Sequence, residues 1–362
     1  PEEVIYSVSR RDLNRLMITK AEDAPPVNVT FSQQLESVDF ENKLLHSTDL
    51  TDDQTDKIPF ELIIGADGAG SRTRRSLLQV NHGNSSSEFL DHDYKELEIP
   101  AQPGFSTDDP RRFQIEPNAL HIWPRGNFML IALPNQDGSF TVTLFMPKTG
   151  PISFATLAEQ GAVKPFFEQH FPSTIQLIPE LEQDFADNPT GRLGTLRTSS
   201  WFYQDCGLIV GDAAHAIVPF HGQGMNAGFE DCLELDRLLD RHNDDWAKVL
   251  PELDRIRRPN AEAIADMALE NYITMRSSVA DPKFQLKKEL GFKLEQQFPN
   301  RFIPRYSMVM FHLIPYADAF RRGQIQQDIL SSLTDSVDAL NDVDMNLAKA
   351  LVEAKLPPVE FD

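Results

Sequence analysis

Two short apolar runs each break into a glycine with an aspartate close behind it, and this repeated device limits the folds open to the chain. The first run, Phe60-Glu61-Leu62-Ile63-Ile64, opens into Gly65-Ala66-Asp67-Gly68-Ala69-Gly70-Ser71. The second, Gly207-Leu208-Ile209-Val210, opens into Gly211-Asp212-Ala213-Ala214-His215. A short apolar run without alternation is the pattern of a strand buried on both faces, as in a parallel sheet. Parallel neighbours need helical crossovers, and a helix is expected over residues 71–78 after the first run. Ligands of open α/β sheets sit beyond the carboxyl ends of such strands. There glycines admit close backbone approach, and helix starts offer free N–H groups to an anion. The structural alternative is a plain strand-to-helix turn whose aspartate bonds its own loop; for the first block taken alone it stays open. In the second block the small residues Ala213 and Ala214 keep space beside Asp212. There Gly222-Gln223-Gly224 starts a helix with its positive end toward that space.

Between the two runs the pattern changes. From Tyr94 to Met146 long alternating segments predict an antiparallel sheet. The clearest pair is 128–133 with 139–145, joined by Asn135-Gln136-Asp137-Gly138, whose Asp-Gly suits a tight hairpin. Upstream, residues 4–8 have strand propensity, and Ser9 with Asp12 resembles a capping box before a helix over 10–21 that Pro25-Pro26 stops. Segments at 27–31 and 44–47 suggest small antiparallel strands. A helical stretch is expected at 152–170, and the chain beyond Gly224 is expected to be mostly helical, with breaks near Pro251, Pro282, Pro299 and Pro304. The expected division is residues 1–87 with 201–275 as one strand-and-helix domain, 88–200 as an inserted antiparallel sheet, and 276–362 as a C-terminal helical region.

Composition narrows the partners. The 362 residues carry 55 acidic against 34 basic side chains, a net charge of −21, which argues against nucleic acid or an anionic membrane surface. Two cysteines, Cys206 and Cys232, exclude a disulfide scaffold and a Cys-built zinc site and fit a reducing cytoplasm. No apolar run approaches the roughly 18–20 residues of a membrane-spanning helix. His215 and His221 have no third ligand at suitable spacing, so no metal is expected.

The two blocks, with Asp67 and Asp212 standing 145 positions apart, resemble the second and third FAD fingerprints of the single-component aromatic hydroxylases. Within that group the chain is similar to the kynurenine 3-monooxygenase family. That likeness rests on Leu120-His121-Ile122-Trp123-Pro124-Arg125, the run 128–135, the run 217–230, Glu270-Asn271-Tyr272-Ile273-Thr274-Met275-Arg276, and Phe302-Ile303-Pro304-Arg305-Tyr306-Ser307-Met308. It covers the chain from Val4 to about Ala319. The fold it implies is α/β: an FAD-binding Rossmann-like domain of the glutathione-reductase type, an inserted antiparallel β-sheet substrate domain and a C-terminal helical region. The activity it implies is hydroxylation of L-kynurenine to 3-hydroxykynurenine with FAD, NADPH and O2 in the cytoplasm, in tryptophan breakdown and NAD biosynthesis. Oxygen is activated on the flavin, so no side chain is assigned a catalytic role.

By the same resemblance Arg10 meets the FAD phosphates and Leu35 contacts the adenine end through its backbone. Asp67 and Gly68 belong to the first FAD block. Asp212 binds the ribityl chain, Gly222 and Gly224 open the helix start, and Met225 and Asn226 place amides on the isoalloxazine. Asn271 and Tyr306 bind the amino-acid end of kynurenine, and Phe220 lines the wall over its ring. His215 is expected to hold its loop, and His221 departs from the aromatic residue more common in the family. A second departure is the family's opening Gly-x-Gly-x-x-Gly turn, which no part of these 362 residues contains. The chain opens Pro1-Glu2-Glu3 and reads as a piece of something longer, with on the order of 100 residues expected upstream; alone it is expected to bind FAD weakly or not at all. Residues 321–362 are polar and acidic and read as a helical cap rather than a membrane anchor. Two alternatives stay open: a hydroxylase of the same fold acting on a phenol or benzoate, and a non-catalytic remnant of the fold.

Overall fold

The computed structural model describes residues 5, 8–106, 108–277 and 281–359. In chain order it opens with helix α1 (Arg10–Glu22), capped by the Ser9 hydroxyl, which accepts from the Asp12 amide. Strands β1 (Gln33–Asp39), β2 (Leu44–Asp49) and β3 (Thr55–Pro59) form a three-stranded meander. Strand β4 (Ile63–Gly65) leads into α2 (Arg72–Val80), and β5 (Ser85–Ile99), β6 (His121–Pro124), β7 (Met129–Pro134) and β8 (Phe140–Pro147) follow. Helices α3 (Phe154–Leu157), α4 (Val163–His170) and α5 (Leu181–Asp187) precede β9 (Thr190–Thr198), β10 (Phe202–Tyr203) and β11 (Gly207–Ile209). The remainder is helical: α6 (Asp212–His215), α7 (Gly224–His242), α8 (Trp246–Ser277), α9 (Pro282–Gln297), α10 (Arg305–Met310), α11 (Tyr316–Thr334) and α12 (Met345–Lys355).

The chain divides into two compact units, Pro1–Gln33 with Phe89–Gly194, and Gln34–Glu88 with Thr195–Asp362. The first unit is built on the antiparallel sheet of order β6-β7-β8-β5-β9. The Asp-Gly hairpin sets its register, with Pro134 opposite Phe140 and Leu133 opposite Thr141. Alternate residues, Leu130 and Ala132 on β7 and Val142, Leu144 and Met146 on β8, are fully buried and share one core with Phe167, Phe171 and Ile178. Each such side chain contributes about 1.5–3 kcal/mol of apolar burial.

The second unit holds the parallel pair. β11 runs parallel to β4, with Gly207 opposite Ile63 and Ile209 opposite Gly65, and β10 flanks β11 antiparallel. Leu208 and Ile209 have no exposed surface and pack with Leu77, Trp201, Val249, Leu250 and Leu253. Gly65 is required by close packing, since a Cβ there would lie 2.5 Å from that of Thr73 on α2.

Four local expectations are corrected. β4 is only three residues long and Ile64 is 43% exposed, because among the described residues β4 pairs with β11 alone and stands at the edge of its sheet. Residues 27–31 form no strand; the first strand begins at Gln33. The stretch 152–170 is two short helices, separated by the turn around Gly161. Helix α8 runs unbroken through Pro251 and Pro259. Full burial of Val249, Leu250, Leu253, Ile264 and Met267 along it outweighs the ladder hydrogen bonds that the prolines remove. The other expected breaks are present: α8 ends at Ser277 and α9 begins at Pro282 with Asp281 as its cap, and α9 ends at Gln297, ahead of Pro299 and Pro304. The strand expected at 4–8 lies mostly outside the described residues. Among those residues no helix is long and apolar enough to cross a membrane.

Candidate functional site

The two strand ends behave differently. At the first, the Asp67 carboxylate is spent on α2. Its Oδ1 accepts from the Ser71 hydroxyl at 2.5 Å, and its Oδ2 accepts from the amides of Arg72 at 2.8 Å and Thr73 at 3.0 Å. Burial works to raise its pKa, but the hydrogen bonds from Ser71, Thr73 and Arg72 outweigh that and hold it below the usual range. This is the self-bonding turn, with Gly68 at φ +75° forming its corner and giving its carbonyl to the Ser71 amide. Leu35 is likewise engaged, its carbonyl accepting from Arg72 at 2.6 Å.

At the second strand end, Gly211 turns the chain at φ +57°, ψ −141°, a conformation open to glycine alone, and its Cα packs against Gly228 of α7. Asp212 then begins α6 exposed to solvent, with no hydrogen bond or ion pair to any described residue. One acid is therefore structural and the other is open for a ligand.

The chain continues through a turn at Pro219–His221 and a left-handed Gly222, φ +71°, to the start of α7. Gln223 precedes that helix without capping it, and the first intrahelical bond runs from the Ala227 amide to the Gln223 carbonyl. The N–H groups of Gly224, Met225 and Asn226 are thus the unsatisfied donors of the first turn, at the positive end of a 19-residue helix. Met225 and Asn226 are exposed. Gly224, Met225 and Asn226 together with the free Asp212 suit a ligand that has both an acceptor-rich edge and hydroxyl groups, which is what a flavin with its ribityl chain presents.

Phe220, Asn271 and Tyr306 come together beside that turn. The Asn271 side-chain amide donates to the Phe220 carbonyl. The Phe220 ring stacks on Tyr272 with centroids 4.3 Å apart, and Tyr306 stacks on His221 at 5.5 Å. An ion pair between Arg305 and Glu270, the neighbours of Tyr306 and Asn271, fastens α10 to α8. Burial lowers the His221 pKa and nearby Arg305 lowers it further, so the ring is neutral near pH 7. Burial raises that of Tyr306, which keeps its hydroxyl proton. Arg10 begins α1 in the other unit and is exposed.

Arg74, Asp231 and Arg257 have no signature in the sequence, whereas the loop-holding role expected of His215 is present. Arg74, the third residue of α2, is buried and donates to the carbonyls of Ala69 at 2.6 Å and Ala213 at 2.7 Å, joining the two strand-end loops. His215 holds its loop by bonding Asp231 at 2.6 Å while stacking on Trp201. Arg257 completes that cluster from α8, 2.8 Å from Asp231. Nothing local distinguishes Arg74 from its neighbours Arg72 and Arg75, or Asp231 from the many acids of α7.

Comparison with known proteins gives the family and the fold. The FAD binding domain family matches residues 2–105 and 194–268. The chain is 46% identical over 358 residues to a kynurenine 3-monooxygenase of Stenotrophomonas maltophilia, covering 99% of this chain and 77% of that protein. It is 42% identical over 354 residues to a kynurenine 3-monooxygenase of Myxococcus xanthus, covering 98% and 75%. Among solved structures, 2-methyl-3-hydroxypyridine-5-carboxylic acid oxygenase shares the fold with a TM-score of 0.57 at 18% identity, over 75% of this chain and 68% of that one. Klebsiella pneumoniae HpxO, complexed with FAD and uric acid, shares it with a TM-score of 0.54 at 17% identity, over 87% and 72%.

Proposed function

The chain belongs to the kynurenine 3-monooxygenase family and is an FAD-dependent monooxygenase, and we propose that its own substrate is L-kynurenine, hydroxylated at C3 of the ring with NADPH as reductant. One observation carries the reading. Phe220, whose carbonyl is held by Asn271, is only five positions before Met225 and the free amides of α7. A flavin edge on those amides and an aromatic ring against Phe220 are then neighbours by covalent connection.

The roles follow from the chemistry of each group. FAD, when bound and reduced, supplies the activated oxygen. The α7 amides hold the acceptor edge of the ring system and, with the helix dipole, favour negative charge there. Asp212 accepts hydrogen bonds from ribityl hydroxyls. Phe220 gives the substrate ring an apolar wall that keeps water away. Asn271 and the protonated Tyr306 bind the amino-acid end. No base is needed, because the ring amino group of kynurenine already activates the position beside it.

The test is NADPH oxidation by the native protein reconstituted with FAD, across kynurenine, hydroxybenzoates and simple phenols, with product identified by mass. Kynurenine is expected to give the fastest turnover and a product heavier by one oxygen. Turnover no faster with kynurenine than with hydroxybenzoate would sink the substrate assignment and leave an aromatic hydroxylase of another specificity.

A further inference from the structure

A buried polar network holds the start of α7 from four other helices, and most of it lies outside the roles given above. Asp231 of α7 is fully buried and accepts from His215 of α6, from the Gly211 amide at 3.0 Å and from Arg257 of α8. Arg257 also donates to Glu230 at 2.9 Å and to the Ala227 carbonyl at 3.1 Å. Glu230 in turn accepts from the Tyr316 hydroxyl of α11 at 2.7 Å. That hydroxyl lies 3.0 Å from the side-chain oxygen of Gln223, so its single proton is shared between two acceptors. The Gln223 oxygen also accepts from Asn226 at 3.1 Å, and its amide nitrogen meets the Met310 sulfur, at the end of α10, at 2.8 Å.

Gln223 is the informative member. It occupies the position just before α7, where the short polar side chains that cap a helix are absent. Here the side chain is 97% buried and turned away to Tyr316 and Met310, and it makes no cap. The residue that leads into the open amides of the first turn is therefore fixed by side chains of α10 and α11. Tyr316 is itself only 2% exposed, and burial with the adjoining Glu230 carboxylate pushes its pKa far up, so it always has a proton to give. Met310 closes the same short helix that carries Tyr306. The substrate-side helix and the open amides thus share one side chain.

We propose that Gln223, anchored by Tyr316, is a positioning residue: it fixes the aim of the first turn of α7 and links that turn to the helix bearing Tyr306. The proposal rests on the flavin reading of α7. It is tested with Gln223→Ala, Tyr316→Phe and the double variant in the FAD-reconstituted protein. The readouts are FAD affinity by flavin-fluorescence quenching, the shift of the bound flavin's visible band on adding L-kynurenine, and thermal unfolding as a control. Each single change is expected to weaken FAD binding about tenfold and to abolish the kynurenine-dependent band shift. The double variant should be no weaker than the weaker single, because both act on one contact. Tyr316→Phe keeps the ring and its packing, so it decides the matter even if Gln223→Ala folds poorly. Variants with wild-type FAD affinity and wild-type band shift would overturn the proposal alone, whatever happens to their melting temperature. A wild-type protein that takes up no FAD would overturn the flavin reading and this proposal with it.

Discussion

The Arg74 guanidinium donates to the Ala213 carbonyl at 2.7 Å, across 139 positions of sequence. Its other terminal nitrogen donates to Ala69 at 2.6 Å. One buried cation therefore sets the spacing between the loop of the structural aspartate and the loop of the free one. The two blocks are tied together because this side chain binds both backbones.

Replacing Arg74 by methionine fills much of the space but leaves the Ala69 and Ala213 carbonyls without donors. The buried Ala213 carbonyl left unpaired costs about 1–3 kcal/mol, while the carbonyl of the exposed Ala69 can turn to water, so Arg74→Met should lower stability by about 1–3 kcal/mol in urea unfolding. Arg75 is bound only to carbonyls of its own turn, Gly70 and Ser71. Its replacement by methionine should cost under about 1 kcal/mol. Equal losses for the two variants would contradict the bridging role.

Asp67 and Asp212 should separate stability from binding. Ser71 caps α2, and Asp67→Ala removes the carboxylate that holds that cap and the first amides of the helix; it should destabilise by about 1–2 kcal/mol, since four donors converge on it. Asp212→Ala removes an exposed group with no described partner and should change stability by less than about 0.5 kcal/mol. The order reverses for cofactor: Asp212→Ala should weaken FAD binding roughly tenfold or more, the worth of a charge-assisted hydrogen bond. Urea unfolding and flavin-fluorescence titration on the same two variants give both numbers. An unchanged FAD affinity in Asp212→Ala would remove that residue from the site.

Strand ends and glycine turns were legible because their signal is local: an apolar run, then glycine, then acid. The hairpin at Asp137-Gly138 and the Ser9 cap were legible for the same reason. What was not legible depends on partners far along the chain. Two nearby prolines argue for breaks in α8, and only the buried stripe of Val249, Leu250, Leu253, Ile264 and Met267 shows why the helix continues. Ile64 reads as core, yet a strand with one neighbour among the described residues leaves it half exposed. Glu230 and Tyr316 are 86 positions apart, and neither sits in a motif that would announce the pair. The aspartates of the two blocks look alike in sequence, and only geometry assigns one to the first turn of a helix and the other to solvent.

Tyr306 should affect substrate binding more than chemistry, and Asn271 should affect both. Tyr306→Phe keeps the stack on His221 but loses the hydroxyl, so KM for kynurenine should rise about tenfold with kcat changed by less than about threefold. Asn271→Ala should do more, because the Phe220 carbonyl loses its donor and the wall beside it loosens; both KM and kcat should worsen. Steady-state kinetics with kynurenine at saturating NADPH distinguish the two patterns. A Tyr306→Phe protein with unchanged KM would show that the hydroxyl does not touch the substrate.

The Asp231 cluster sets the response to acid. Burial alone would raise the Asp231 pKa, but His215 and Arg257 more than offset this and hold it below the ordinary 3.8. A carboxyl whose folded-state pKa is depressed contributes stability that is fully present above the unfolded value and lost as pH falls through the folded one. The stability supplied by this group should therefore be intact at pH 5 and above and decline below about pH 4. Asp231→Asn abolishes the titration and leaves the Arg257 charge buried against Glu230 alone, at a cost of about 3–5 kcal/mol near neutral pH. Its unfolding free energy should consequently be lower than wild type at pH 7 and should converge toward wild type as pH drops to 3. Urea unfolding at pH 7, 5, 4 and 3 on both proteins measures the gap. A gap that stayed constant over that range would mean that the Asp231 charge, as opposed to its shape, contributes nothing to holding α6, α7 and α8 together.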